Sequence, residues 1–313
     1  MVAYLCRRLA GMALVMVFVV TLTFVIVRIV PGDPAAVMLG NDATPSQVAD
    51  LRRQLGLDQP VLVQFAVYVA DLARGDLGHS IFLNRSVLTA IGERAELTLS
   101  LTGLSILLAV LIGIPLGVIA AVLRGRPADQ GVMALAMIGA SIPSFWIGLT
   151  LIKYLAVDLR WFPVSGYGPP EATFMERLRY LVLPAMALAL PNSALILRFT
   201  RVSMVEILHN DYVRTARAKG LSAWSVTMRH AFRNALTPII TVVGLTIATL
   251  IGGAIVTETV FGLPGVGNLI TSAVMRRDYP VIQGALLVIS GIYVLLNMTI
   301  DVVYALVDPR VRY

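Results

Sequence analysis

The sequence has few charged residues and few of the side chains that bind metals. Of its 313 residues, 14% are charged and 58% are hydrophobic, and there are one cysteine and three histidines. Soluble domains are about 25% charged and about 45–50% apolar, so this composition excludes an ordinary soluble enzyme. One cysteine excludes an internal disulfide, and so few cysteines and histidines disfavour a structural metal site. The composition predicts an integral membrane protein.

Catalytic motifs are also missing. The sequence contains no Gly-x-x-x-x-Gly-Lys-Ser/Thr phosphate-binding loop, no His-Glu-x-x-His pair and no credible Ser–His–Asp arrangement. We therefore expect no catalytic residue, no cofactor and no metal on this chain. The net charge of +7 is spread between apolar segments, so we attribute it to membrane orientation and expect no nucleic-acid partner.

Six stretches are long enough to cross a bilayer, which takes about 20 apolar residues in a helix. They are residues 9–30, 97–123, 132–157, 181–197 with an extension, 236–260 and 281–307. The first follows Arg7 and Arg8 and is not followed by a small-residue cleavage site, so we interpret it as an uncleaved anchor. The sequence thus predicts an all-α, multi-pass membrane protein with six transmembrane helices.

The placement of basic residues predicts the orientation. The termini and the short connections on their side carry 13 lysines and arginines, Arg124, Arg126, Arg217 and Lys219 among them, against 6 in the short connections on the other side. The long segment 31–96 carries others, but long segments are translocated regardless of charge. We therefore expect both termini to be cytoplasmic and residues 31–96 to lie outside. Within residues 31–96 the sequence predicts a helix that is capped by Thr44 and runs to Leu55, and a second helix at Val61–Ala73.

The connection at residues 201–235 is longer than a helix bundle requires. Asn210 or Asp211 can cap a short cationic helix, Gly220 can end it in the left-handed conformation, and Ser222 can cap the next helix. Such a helix suits insertion into a groove on a cytoplasmic partner. The alternative is a surface helix whose charges only satisfy the positive-inside bias.

Two carboxylates lie in apolar stretches, where an ionisable group is a functional candidate. Glu258 either faces a cavity or pairs with Arg276 or Arg277. Asp301 either bonds a neighbouring helix or takes part in proton coupling. The second choice would make the protein an ion-coupled secondary transporter, but the sequence shows neither paired ionisable groups nor internal repeat symmetry.

Several strings, in order along the chain, resemble the permeases of dipeptide and oligopeptide ABC importers, specifically the first of the two paired permeases. Residues 211–222 read Asp-Tyr-Val-Arg-Thr-Ala-Arg-Ala-Lys-Gly-Leu-Ser, like that family's coupling loop. Residues 31–34 (Pro-Gly-Asp-Pro), 141–146 (Ser-Ile-Pro-Ser-Phe-Trp), 258–261 (Glu-Thr-Val-Phe) and 308–310 (Asp-Pro-Arg) resemble it elsewhere. The broader permease signature has Glu where this chain has Arg214, while Ala216 and Gly220 match it.

This resemblance implies a type I ABC importer permease fold. Residues 1–30 would form the N-terminus and first helix, 31–96 a small extracytoplasmic helical segment, and 97–313 the core of helices two to six with the coupling loop 201–235. The implied ATPase-docking residues are Asp211, Tyr212, Arg214, Thr215, Ala216, Arg217, Ala218, Lys219, Gly220, Leu221 and Ser222. Candidate pathway or gate residues are Ser141, Pro143, Phe145, Glu258 and Phe261.

The resemblance also implies a function and partners. The chain would import dipeptides or oligopeptides across a bacterial cytoplasmic membrane by alternating access. It would act with a second homologous permease, two ATPase subunits that hold ATP and magnesium, an external peptide-binding protein and membrane lipid. Import of glutathione or nickel chelates by the same architecture remains an alternative.

Overall fold

The computed structural model describes residues 2–29, 33–40, 43–54, 56–80 and 82–307. They fall into two compact units. One draws on Met1–Glu96 and Gly265–Leu295, and the other on Leu97–Pro264 and the chain from Leu296 onward.

The first unit starts with four helices. They are α1 (Val2–Ile29), α2 (Pro34–Leu39), α3 (Pro45–Gln54) and α4 (Val61–Ala73). The cap predicted for α3 is present, because Gln47 N donates to Thr44 Oγ1 (3.4 Å) and Thr44 N donates to Gln47 Oε1 (2.9 Å). Helix α4 has the predicted bounds, whereas the end predicted for α3, Leu55, lies outside the described residues.

A short hairpin and three helix segments complete the first unit. Strands β1 (His79–Ser80) and β2 (Arg85–Ser86) pair antiparallel, with His79 opposite Ser86. They precede α5 (Val87–Val122), and later in the chain come α12 (Val266–Arg276) and α13 (Tyr279–Val307). The Ser80 hydroxyl donates to the buried carboxylate of Asp278, so the hairpin is held to the turn between α12 and α13. The shared core contains Val87, Ala90, Ile91, Val266, Leu269, Ala273, Val281 and Ala285.

The second unit is a helical bundle in which α8 is the most buried element. Its helices, besides the later part of α5, are α6 (Pro127–Ser141), α7 (Ser144–Leu151), α8 (Phe174–Leu208), α9 (Asp211–Ala218), α10 (Ala223–Ser225) and α11 (Arg233–Val260). Two π-helical segments, Ile152–Asp158 and Val226–Phe232, extend α7 and lead into α11. Helix α8 begins at a capping box in which Thr173 N donates to Glu176 Oε2 (2.7 Å).

One predicted membrane span is broken. Helices α6 and α7 meet at an angle of 96°. Pro143 has no backbone N–H and disfavours the helical conformation in the residue before it, and Ile142 is accordingly extended (φ −89°, ψ 126°). The sequence predicts a single membrane span over residues 132–157, and Pro143 explains why the structure has two helices there.

Among the described residues, five helices are long and apolar enough to cross a bilayer, and the α6–α7 pair makes six if it counts as one span. On that count the predicted all-α fold with six membrane spans is confirmed. The break at Pro143 is the main departure from the predicted helices.

Helix α5 approaches α8 closely through two glycines. A Cβ at Gly113 would lie 2.7 Å from the Ser193 carbonyl oxygen, and one at Gly117 would lie 2.7 Å from the Leu197 carbonyl oxygen. Small residues four apart let helix backbones touch within a membrane, where apolar burial alone does not draw helices together. Gly113 and Gly117 therefore set the distance between α5 and α8.

A buried ion pair joins α6 to α8. Arg201 Nε and Nη2 donate to the two carboxylate oxygens of Asp129 at 2.6 and 2.7 Å. The backbone N–H of Gly125 also donates to Asp129, at 2.9 Å. Asp129 is 2% exposed, so the two-pronged geometry and the third donor offset the cost of removing its charge from water.

We expect Gly117→Ala to destabilise the chain by about 1–3 kcal/mol, because the added methyl group overpacks the contact with α8. Gly103, on the same helix, is a matched control, since a Cβ there meets nothing within 4 Å. Gly103→Ala should be neutral or stabilise by up to about 1 kcal/mol through helix propensity. The unfolding midpoint in detergent measures both, and equal shifts would contradict the close-packing role.

We expect Arg201→Met to cost about 3–5 kcal/mol, because it leaves the Asp129 charge buried without its partner. Lys153→Met is the control: its pair with Asp158 (2.6 Å) has exposed side chains, and such pairs contribute about 0–1 kcal/mol. The measurement is again the thermal midpoint of the detergent-solubilised chain. Similar losses of stability in both variants would show that the buried ion pair contributes no more than the exposed one.

Candidate functional site

The loop between α8 and α11 forms a short helix that ends in a defined turn. Helix α9 follows Asn210, which has the extended N-cap conformation but makes no side-chain cap bond. Gly220 has a left-handed φ of +77°. Gly220 N donates to Arg217 O (3.0 Å) and Leu221 N to Ala216 O (3.4 Å), the pattern of a Schellman C-cap.

The next helix starts as the sequence predicts. Ser222 accepts a hydrogen bond on its hydroxyl from Ser225 N at 3.3 Å, which caps α10. The chain then continues through Val226–Phe232 into α11. The predicted order of short helix, glycine turn and second helix is therefore present.

One face of α9 is anchored and the other is exposed. Val213 and Ala216 are buried in a small cluster with Val226, against which Ile207 and Leu208 of α8 pack. Ala216 is thus a core position. The other ten residues predicted for docking are exposed: Asp211, Tyr212, Arg214, Thr215, Arg217, Ala218, Lys219, Gly220, Leu221 and Ser222.

The exposed face combines positive charge with apolar groups. Tyr212, Leu221 and Trp224 are 43%, 42% and 72% exposed, so the loop presents three large apolar side chains beside its basic residues. Trp224 is not among the docking residues predicted from the sequence. Its position two residues after the predicted Ser222 cap was the available signal.

A cavity of about 430 Å³ lies between the loop and the end of α5. Its polar lining is cationic, with Arg124, Arg214 and Arg217 around His209. His209 Nδ1 lies 2.6 Å from Val205 O and Nε2 lies 3.1 Å from Arg124 Nη1. A carbonyl accepts and a guanidinium donates, so both contacts are satisfied when Nδ1 carries the proton and Nε2 is the acceptor. Arg124 and His209 are distant in sequence, so only the fold brings them together.

The first three candidate pathway residues lie at the break between α6 and α7. Ser141 donates from its hydroxyl to Met137 O at 2.8 Å, and Pro143 is the N-cap of α7. Phe145 is 43% exposed. The break thus presents Ser141 and Phe145 at the surface of this chain.

Glu258 and Phe261, in contrast, are buried. Glu258 is 0% exposed, and its Oε1 accepts a hydrogen bond from Thr98 Oγ1 at 2.7 Å. Phe261 packs against α7, where a Cβ at Gly148 would lie 2.9 Å from its ring. In this conformation Glu258 takes part in packing between α5 and α11. The side chain of Asp301 lies outside the described residues.

No group of three or more His, Cys, Asp or Glu side chains is arranged to hold a metal ion in the part of the chain that the structure describes.

Comparison with known proteins gives matches over nearly the whole chain. A protein of Sinorhizobium fredii named "Probable peptide ABC transporter permease protein" is 44% identical over 310 residues, covering 99% of each chain. The glutathione transport system permease protein of Salmonella choleraesuis is 41% identical over 313 residues, covering 100% of each. These relatives are named as permeases.

The fold also matches a solved structure. A chain of the inward-facing MetNI methionine ABC transporter aligns with a TM-score of 0.60 at 20% identity, covering 71% of this chain and 97% of that one. This likeness shows the fold, and it confirms the predicted importer-permease architecture.

Two family descriptions cover the sequence. Residues 1–102 match "Binding-prot-dependent transport system membrane comp, N-term". Residues 113–313, more than half of the chain, match "Binding-protein-dependent transport system inner membrane component". The chain therefore belongs to the family of binding-protein-dependent transport system inner membrane components.

Proposed function

We propose that this chain is the permease subunit of an ABC importer that carries peptides across a bacterial cytoplasmic membrane by alternating access. Similarity to the Sinorhizobium fredii protein over 99% of the chain supports the peptide assignment. The observation that carries the mechanism is α9, whose apolar face is anchored on α8 while its cationic and aromatic face is exposed.

The exposed face of the loop is the docking surface for an ATPase subunit. Tyr212, Leu221 and Trp224 supply apolar area, and aromatic side chains dominate the affinity of many interfaces. Arg214, Arg217 and Lys219 beside them supply charge for an acidic groove rim. ATP and magnesium bind to the two ATPase subunits.

The remaining partners follow from the architecture. A second homologous permease supplies the other half of the pathway, and an external binding protein delivers the peptide. Both termini and loop 201–235 lie in the cytoplasm, residues 31–96 lie outside, and residues 97–313 form the transport core. Basic residues in the short connections support this orientation.

The α6–α7 break lies on the peptide pathway in this proposal. Broken helices line cavities in membrane proteins because a polar or water-filled space satisfies the freed backbone groups. Ser141, Pro143 and Phe145 are the pathway residues. Buried Phe261, which packs against α7, and buried Glu258, which joins α11 to α5, are parts of a gate.

Glutathione import is the second candidate. The Salmonella choleraesuis glutathione permease is 41% identical over the full length of this chain. Glutathione is itself a small peptide, so both candidates require a pathway for a short zwitterionic chain. Ligand assays on the co-purified external binding protein distinguish them.

Purification of the chain from its native host in mild detergent tests the function. We expect a second six-span permease and one or two ATPases in stoichiometric amounts. Recovery of the chain alone, or as a homodimer in several detergents, would contradict the importer assignment and favour an ion-coupled transporter.

Trp224→Ser tests the docking surface. Loss of an exposed aromatic anchor should weaken ATPase binding by about 2 kcal/mol or more without changing the thermal midpoint of the permease. Trp161→Ser is the matched control, because Trp161 is also exposed (59%) but lies outside the loop. Equal ATPase recovery from both variants would show that Trp224 does not contact the ATPase.

Gly220→Val tests the turn. A Cβ at Gly220 meets nothing within 4 Å, but its φ is +77°, so the variant suffers backbone strain of about 1–2 kcal/mol and no clash. We expect peptide uptake to fall roughly 5- to 30-fold, with expression retained. Gly220→Asn should keep most uptake, because asparagine tolerates the left-handed conformation.

Gly75→Val controls for strain alone. Gly75 has a φ of +82° and equally open surroundings, but lies outside the loop. Uptake that survives Gly220→Val as well as it survives Gly75→Val would contradict the coupling role of the α9 turn.

A further inference from the structure

We propose that a cavity at the C-terminal end of α1 binds the phosphate-bearing head of a membrane phospholipid. The cavity has a volume of about 270 Å³ and lies entirely within the first unit. Its walls come from the last turns of α1, from α4 and from the start of α13. Neither the proposed transport function nor the docking loop uses it.

The cavity contains a cation, Arg28, that forms no ion pair with a carboxylate in the part of the chain that the structure describes. Arg28 Nη1 donates to Phe24 O (3.0 Å), Nη2 donates to Gln64 Oε1, and the guanidinium carbon lies 3.3 Å from the centre of the Phe24 ring. Within the described residues no carboxylate lies within ion-pair distance of Arg28. Asp71 also lines the cavity, and its carboxylate is paired with Arg74 at 3.6 Å.

Arg28 therefore has donors to spare. A guanidinium carries five N–H groups, and two of them are used in the contacts above. A half-buried cation that pairs with no carboxylate among the described residues favours the approach of an anion, and guanidinium geometry matches the oxygens of phosphate.

Tyr279, another residue of the cavity wall, has an unpartnered hydroxyl. The residue is 6% exposed, and its hydroxyl has no hydrogen-bond partner among the described residues. Buried polar groups nearly always have a partner in native proteins. The hydroxyl is covered by surrounding atoms, so the ring must rotate before the hydroxyl can donate to an anionic oxygen held by Arg28.

Tyr68 also lines the cavity. The Thr23 hydroxyl donates to Val20 O (3.0 Å), so the Tyr68 hydroxyl, 3.4 Å from Thr23 Oγ1, is the donor to it. Burial, as the largest cause, raises the pKa of Tyr68 above its ordinary value, so the phenol stays protonated. The polar lining is completed by Gln59, Gln64 and Gln283.

The position of the cavity identifies a lipid as the source of the anion. Helix α4 packs on α1 through Phe65, whose ring centre lies 5.0 Å from that of Phe24. With a rise of about 1.5 Å per residue, Phe24 lies about 7–8 Å inside the end of α1 at Ile29. Helix α1 is apolar enough to span a bilayer, so α4 lies at the depth of one leaflet's headgroups and upper acyl chains.

The surroundings of the cavity are apolar and uncovered. Exposed aliphatic side chains on α4 and on the last turns of α1 are Val61, Leu62, Val63, Val67, Val69, Leu22, Val25, Ile26 and Ile29. An apolar helix at this depth is typical of membrane-interface helices. The cavity is smaller than the roughly 300–1,000 Å³ of pockets that enclose a whole drug-sized ligand, so it fits a polar head whose acyl chains lie along α1 and α4.

The test uses the full chain, purified with its partner subunits and stripped of lipid in a neutral detergent. Dioleoyl phosphatidylglycerol should raise the thermal midpoint in a saturable way. Dioleoylglycerol has the same chains without phosphate and should not, nor should inorganic phosphate alone. An equal rise with dioleoylglycerol would show that only acyl chains are bound. An equal rise with inorganic phosphate would identify a free-anion site. Either result overturns the proposal. The absence of a rise with any lipid would also overturn it, and that outcome would fit a different arrangement in which another subunit covers α4.

Two variants locate the effect. Arg28→Gln should weaken the response to phosphatidylglycerol at least roughly tenfold in concentration. Tyr279→Phe removes only one oxygen atom, so it still tests the site if Arg28→Gln fails to fold. It should leave the lipid-free midpoint unchanged or higher, because an unpaired buried hydroxyl is lost, and should reduce the lipid-induced rise.

Arg53→Gln is the matched control, because Arg53 is 74% exposed and pairs only weakly with Asp50 (3.8 Å). Its response to lipid should equal that of the parent chain. A parental response in Tyr279→Phe would show that this hydroxyl does not meet the headgroup, and the proposed site would be wrong.

Discussion

The close approach of α5 to α8 is the contact on which the helical bundle of the second unit depends. Two helices in lipid gain little from burying apolar area against each other, so close contact between their backbones must hold them together. Gly113 and Gly117 provide it. Because α8 is held there, the elements that pack on it also have fixed positions, and the Asp129–Arg201 pair places α6 in the same way.

The anchoring of α9 gives the proposed coupling a physical route. Its buried residues pack on Ile207 and Leu208, the last residues of α8. Just before them, Met204 packs with Ala231 and Ala235, where the chain enters α11. A force applied to α9 by a docked ATPase therefore acts on the ends of two membrane helices together, because packed interiors transmit displacement rather than absorb it.

The sequence rules for caps and turns predicted features that depend on adjacent residues. They did not predict contacts between residues that are far apart in the sequence. The Thr44 cap, the Gly220 turn and the Ser222 cap each depend on a few adjacent residues, so their conformations follow from the sequence. Pro143 was visible too, but the sequence alone does not give the angle of 96° at which α6 and α7 meet. The partners of Glu258 and His209 are Thr98 and Arg124, which lie on another helix and are brought close only by the fold.

Polar groups in apolar surroundings fall into two classes in this chain, and the difference separates structure from binding. Glu258 and Asp129 are buried, and each receives a hydrogen bond from a side chain on another helix. Their charges or dipoles are satisfied internally, so they hold helices together. Arg28 and Tyr279 are brought to one cavity with donors that the described protein does not use. Unmet donors cost most where water is scarce. Their presence at membrane depth is explained if the missing acceptor comes from the bilayer.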